Sequence, residues 1–167
     1  MKRTAPICAL IGATVLLAAS ARFTLGPLVI ARLLVLGGAL GLLAFHDIRE
    51  HRIPNRIVLP AAAICAALSF AEGIRPSAGL YASAALVALL LTVSLAAPMM
   101  LGMGDVKLAL LILCAMGALA ALALLAALEL YALVAITLLI SHGRSALGTH
   151  LPLAPIIAAA CLITVLL

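Results

Sequence analysis

The stretch from Leu108 to Ser141 contains no proline, and Glu129 is its only charged residue. A run of that length is too long for one crossing of a hydrocarbon layer about 30 Å thick, and too apolar to be wrapped in water. Gly117 is its only strong helix weakener, so the run predicts two helices with a tight reversal near that residue. Further apolar segments extend approximately from Pro27 to Phe45, Ile57 to Ala71, Gly79 to Ala97 and Pro152 to Leu167. Each is continuous rather than alternating, which argues for helices and against a transmembrane β-barrel. The composition agrees: 68% of the residues are hydrophobic, 9% are charged, and the mean hydropathy is +1.41. The expected fold is therefore all-α, a polytopic transmembrane helical bundle of about six to seven spans. It forms a single membrane-embedded domain over residues 1–167, with the lipid bilayer as its solvent.

Residues 1–21 leave two readings open. Lys2 and Arg3, an apolar stretch from Ile7 to Ala19, and the small pair Ser20-Ala21 have the layout of a signal peptide. The same residues serve equally as a first transmembrane helix, the preferred reading because several more spans follow. Both readings leave Arg22 on the outer side.

Charge then orients the bundle. Lys2, Arg3, Arg49, Arg52, Arg56, Lys107 and Arg144 fall on one side of the proposed layout, against Arg22 and Arg75 on the other. Arg32, within a span, is close enough to its outer end to snorkel. The positive-inside rule makes the richer side cytoplasmic, in an inner membrane. The segments His46 to Arg56, Leu101 to Lys107 and His142 to Leu151 then share that face. The net charge of +5 is thus a topology signal, and no nucleic-acid surface is implied. The four cysteines, Cys8, Cys65, Cys114 and Cys161, stand singly in apolar runs. They indicate neither a disulfide framework nor a metal site.

Only five acidic residues occur: Asp47, Glu50, Glu72, Asp105 and Glu129. Asp47 follows the apolar run ending at Phe45, and Asp105 precedes the one beginning at Val106, both on the cytoplasmic side of the layout. Two carboxylates held close share a proton, because like charges do not both ionise easily. Such a pair hydrolyses peptides with water as the direct nucleophile, one member accepting a proton and the other donating one. The flanking residues suit that role. Gly102 and Gly104 allow unusual backbone angles and close approach of an extended substrate strand. Ile53-Pro54-Asn55 sets an extended turn that re-launches the chain into the next span.

Blander roles exist for each residue alone. Asp105 after glycines is a good helix N-cap, and Asp47 is a plausible solvated partner of Arg49 or Arg52. Lys107 is placed to snorkel, to assist topology or to bias the charge of the aspartates. His46 is a candidate to orient Asp47, although an interfacial histidine with no role is the preferred reading. Glu129 is a functional candidate by its intramembrane position, although a structural place in the bundle interior or near a helix end is preferred.

Taken together, Asp47-Ile48-Arg49-Glu50-His51-Arg52-Ile53-Pro54-Asn55 and Gly102-Met103-Gly104-Asp105-Val106-Lys107 resemble the paired motifs of the type IV prepilin peptidases, membrane aspartyl proteases of the GxGD type. The short single-domain form is similar to the branch serving tight-adherence (Flp) pili. The likeness covers most of the chain from about Leu34, and includes the proline-containing stretch His150 to Pro155. The resemblance implies that Asp47 and Asp105 are catalytic, supported by Gly102, Gly104, Lys107, Ile53, Pro54 and Asn55. It also implies a prepilin-like protein substrate whose basic leader is cut at the cytoplasmic membrane face. No metal or organic cofactor is implied, and the oligomeric state stays open. The cysteine-bearing cytosolic insertion of full-length relatives is not expected here, nor is their methyltransferase activity. Two other readings remain: a small transporter or proton relay that uses its intramembrane acids, and a catalytically idle pilus-assembly scaffold.

Overall fold

A computed structural model describes residues 26–50, 53–73, 75–98, 101–142 and 153–166, and every regular element among them is helical. The helices are α1 (Pro27–Glu50), α2 (Asn55–Glu72), α3 (Ala78–Ala96), α4 (Met103–Met116), α5 (Ala120–His142) and α6 (Leu153–Leu166). A 3-10 turn, Gly117–Leu119, joins α4 to α5. The segment Ile7 to Ala19, Lys2, Arg3, Arg22, His51, Arg52, Arg144 and His150 to Pro152 lie outside the described residues. Four stretches are long and apolar enough to cross a membrane, the last being Met103–Ser141, and α6 is a shorter apolar helix.

The break at Gly117 turns that last stretch into two spans. Gly117 adopts φ +57°, a left-handed conformation that glycine enters without steric cost, and its N–H closes the end of α4 on Leu113. The reversal is stapled from α3. Ser83 donates from Oγ to the Ala118 carbonyl (3.2 Å) and accepts from the Ala121 N–H (2.9 Å). Gly79 lies so close to this turn that an added Cβ would stand 3.1 Å from Ala118. With α4 and α5 antiparallel, the described helices accommodate six of the expected crossings.

Helix α4 lies at the centre, in contact with α1, α2, α3 and α5, while α6 closes the bundle between α1 and α5. Its buried residues, Leu108, Leu111 and Ile112, join Leu36, Leu40 and Leu43 of α1, Val58 and Cys65 of α2 and Cys161 of α6 in one core. Outward faces remain apolar, as at Phe70, Tyr81, Leu95, Leu133 and Ile140. α3 buries only Ser83, Val87 and Ser94. A helix apolar on every side is stable where its outer surface meets lipid.

Two boundaries differ from those read in the sequence. α1 continues past Phe45 to Glu50, and α4 begins at Met103 rather than near Leu108. Loss of apolarity marks where lipid ends; a helix continues beyond that point until a breaker stops it. Neither glycine nor proline interrupts Phe45 to Glu50, so α1 carries Asp47 in its last turn, and α4 carries Asp105 in its first.

Candidate active site

Asp47 reaches the bundle interior because it extends a row on α1. Leu33, Leu36, Leu40, Leu43 and Asp47 recur at spacings of three and four residues, and all are buried. At 7% exposure it is the one buried carboxylate among the described residues. Its Oδ2 accepts a 2.8 Å hydrogen bond from the backbone N–H of Ala154, the second residue of α6. That bond satisfies one of the unpaired amides that begin α6 and sets the positive end of the helix dipole against the carboxylate. The other carboxylate oxygen is left for a different partner.

Asp105 is placed by Gly102, the cap of α4. The Asp105 N–H donates to the Gly102 carbonyl at 3.1 Å, and the carboxylate turns back towards the Gly102 backbone. Asp105 is therefore not itself the N-cap. Its Oδ2 lies 3.7 Å from the point a Cβ on Gly102 would occupy.

Both carboxylates line one cavity of about 530 Å³, together with residues of α3, α5 and α6, and the charge of Asp47 acts on Asp105. The remaining walls are aliphatic, including Leu86, Leu90, Leu101, Leu124 and Ile157, apart from Tyr131. A pair of acids in a largely apolar cleft, with no cation among the described residues that line it, is suited to moving protons onto and off a bound amide.

The two sequence motifs meet directly. Gly104 faces Ile53 so closely that a Cβ there would stand 3.1 Å from Ile53 Cδ1 and 3.4 Å from its Cβ. One turn further along α4, Lys107 Nζ donates to Asn55 Oδ1 at 2.8 Å. Pro54, at φ −72° and ψ 123°, is the extended residue that starts α2 and gives its carbonyl to Ile57 and Val58. The segment Ile53-Pro54-Asn55 thus docks on the first two turns of α4, and Asp105 lies between the two contacts.

This geometry revises several expectations. Gly102 has ordinary extended angles, φ −70° and ψ 142°, and Gly104 is helical. The close approach that Gly104 permits is to Ile53 of the chain itself. His46 does not orient Asp47, because its Nδ1 pairs with the Leu42 carbonyl at 2.9 Å. Arg49 packs over the Phe45 ring at 4.3 Å and forms no ion pair with Asp47. Glu129 is exposed on α5 and lies in neither the bundle interior nor the carboxylate cavity. Ala154 and Tyr131 escaped the sequence reading. A main-chain donor has no signature in residue identity, whereas Tyr131 was detectable as a rare phenol in an aliphatic run.

A family model, that of the type IV leader peptidase family, matches residues 34–167. Comparison with curated proteins and with solved structures gives no match.

Proposed function

The chain belongs to the type IV leader peptidase family, and we propose that it is an aspartic endopeptidase with Asp47 and Asp105 as its catalytic pair. Its substrates are prepilin-like proteins of the Flp type, cut after their basic leader. The observation that carries this reading is the shared cavity, which joins two carboxylates 58 positions apart in the chain, with no cation among the described residues that line it.

A water molecule between the two side chains is the nucleophile. The ionised aspartate takes a proton from water as its oxygen adds to the scissile carbonyl carbon, and the protonated aspartate gives its proton to the carbonyl oxygen. The resulting diol collapses as the amide nitrogen gains a proton and the C–N bond breaks. The Ala154 amide holds Asp47 in one rotamer, so little reorganisation of that side chain accompanies the reaction. The aliphatic walls suit the apolar segment that follows a pilin leader.

Among the described residues, Arg49, Arg56 and Lys107 lie towards the aspartate end, and Arg32 and Arg75 towards the other. This distribution supports a cytoplasmic site in the inner membrane. The test is co-expression with a candidate Flp-type prepilin, reading its size on a gel. Wild type is expected to release the mature form, whereas Asp47→Asn and Asp105→Asn leave it uncut. Processing by either variant would rule out the assignment of the pair.

A further inference from the structure

Besides the two aspartates, a single polar side chain lines the cavity among the described residues, that of Tyr131. It belongs to the face of α5 that presents Leu124, Ala127, Leu128 and Tyr131, at spacings of three and four residues, to the same space. Depth along the bundle agrees. Asp105 precedes Gly117 by twelve residues and Tyr131 follows it by fourteen, on antiparallel helices. At about 1.5 Å per residue the two stand roughly 18 and 21 Å from the turn, so the phenol lies at the level of the carboxylates.

The Tyr131 hydroxyl makes no hydrogen bond to any described residue. The phenol oxygen is not among the fully buried unpaired atoms, so it opens onto the cavity and can engage a group that enters it. By contrast, the other hydroxyls of the bundle interior are fully engaged: Ser69 with Arg32 and the Cys114 carbonyl, and Ser83 with Ala118 and Ala121. The partner Tyr131 lacks is one that arrives with the substrate.

We propose that Tyr131 is a third catalytic residue, which donates its O–H to the scissile carbonyl oxygen; the inference rests on Asp47 and Asp105 being the hydrolytic pair. As water adds to the carbonyl carbon, negative charge builds on that oxygen. The phenol hydrogen bond strengthens with the charge while the protonated aspartate completes the proton transfer. Tyr131 keeps its own proton throughout, so no bond to it forms or breaks. In a cleft walled by leucines such a donor is effective, because little water competes for the oxyanion.

Cleavage of a peptide that joins a basic leader to a pilin-like apolar segment tests this, with purified enzyme in detergent micelles. Tyr131→Phe keeps the ring in the wall and removes only the donor. Its kcat is expected to fall roughly tenfold or more, with KM and the thermal unfolding midpoint unchanged. A smaller fall, a loss confined to KM, or a loss that tracks a lowered unfolding midpoint overturns the proposal. A second measurement avoids turnover. A peptide carrying a tetrahedral hydroxyl in place of the scissile carbonyl is expected to lose affinity for Tyr131→Phe by the same factor as kcat/KM, and the product peptide to lose none. Equal losses for both peptides also overturn it. Should Asp47→Asn and Asp105→Asn still cleave, it is the hydrolytic pair that fails, an outcome separate from any result at Tyr131.

Discussion

The two ends of this bundle carry cavities of similar size and opposite electrostatic character. Near the start of α1 and the end of α2, a cavity of about 510 Å³ is lined by Arg32, Ser69, Glu72 and Arg75. There the half-buried Arg32 finds an opposite charge within the protein, although its Nε has no hydrogen-bond partner among the described residues. Arg32 pairs with Glu72 at 2.6 Å and donates to Ser69 Oγ at 2.7 Å, and Ser69 in turn donates to the Cys114 carbonyl at 2.7 Å. The chain ties α1, α2 and α4 together. At the other end, Asp47 and Asp105 line a cavity of about 530 Å³ with no countercharge among the described lining residues, and Asp47 accepts from the Ala154 amide. Neutralised charge locks helices to one another, whereas charge left unneutralised retains the capacity to bind or transfer a proton.

Substitutions at the two ends should therefore separate activity from stability. The largest effect belongs to the aspartates. Asp47→Asn or Asp105→Asn is expected to reduce prepilin cleavage by about a thousandfold or more, since each removes an acid–base partner. The same proteins should unfold no earlier than wild type in a detergent melt, because an asparagine at 47 still accepts from Ala154 and one at 105 removes a charge from an apolar cavity. A variant that loses activity and stability together would place that aspartate with the structural charges.

Next comes the contact between motifs. Gly104→Val drives a branched side chain into Ile53 and displaces the first turn of α4. Cleavage should drop about 10–100-fold, the scale of an ångström-level misplacement of a reacting group. Ile53→Ala in the same chain should restore a large part of it. No recovery in the double variant would mean that the loss has another cause.

Breaking the Lys107–Asn55 bond is milder. Lys107→Met and Asn55→Ala are each expected to slow cleavage by about three- to tenfold, and the double variant no more than the worse single one, because both remove one interaction. Additive losses in that cycle would show that the two side chains act separately.

Arg32→Met, at the far end, should leave kcat per folded enzyme unchanged while lowering stability by about 1–3 kcal/mol. The upper part of that range is discounted because Glu72 is more than a third open to solvent. Glu72→Gln combined with Arg32→Met should recover part of the loss by removing the stranded carboxylate. A change in kcat would join the two ends functionally and break the contrast.

Much of the aspartate end was legible in the residues because two short motifs carry it. Asp47 and Asp105 stand among few acids, next to glycine, proline and asparagine in a recognisable order. The helix ends were less legible. Hydropathy reports contact with lipid, while helix continuation depends on local backbone chemistry, so the apolar run ending at Phe45 stops short of Asp47, which the same helix carries. The two glycines of the second motif were read as flexible, but Gly104 is small because Ile53 sits against it.

Hydropathy and charge act residue by residue along the chain, and such additive, local properties settle without any coordinates that this is a helical membrane bundle reversing near Gly117. Which side chains meet is a property of packing between segments distant in sequence. Only the tertiary structure gave Asp47 the amide of Ala154, set Gly104 against Ile53 and opened the cavity wall at Tyr131, because each of those contacts depends on how whole helices are rotated and tilted against one another.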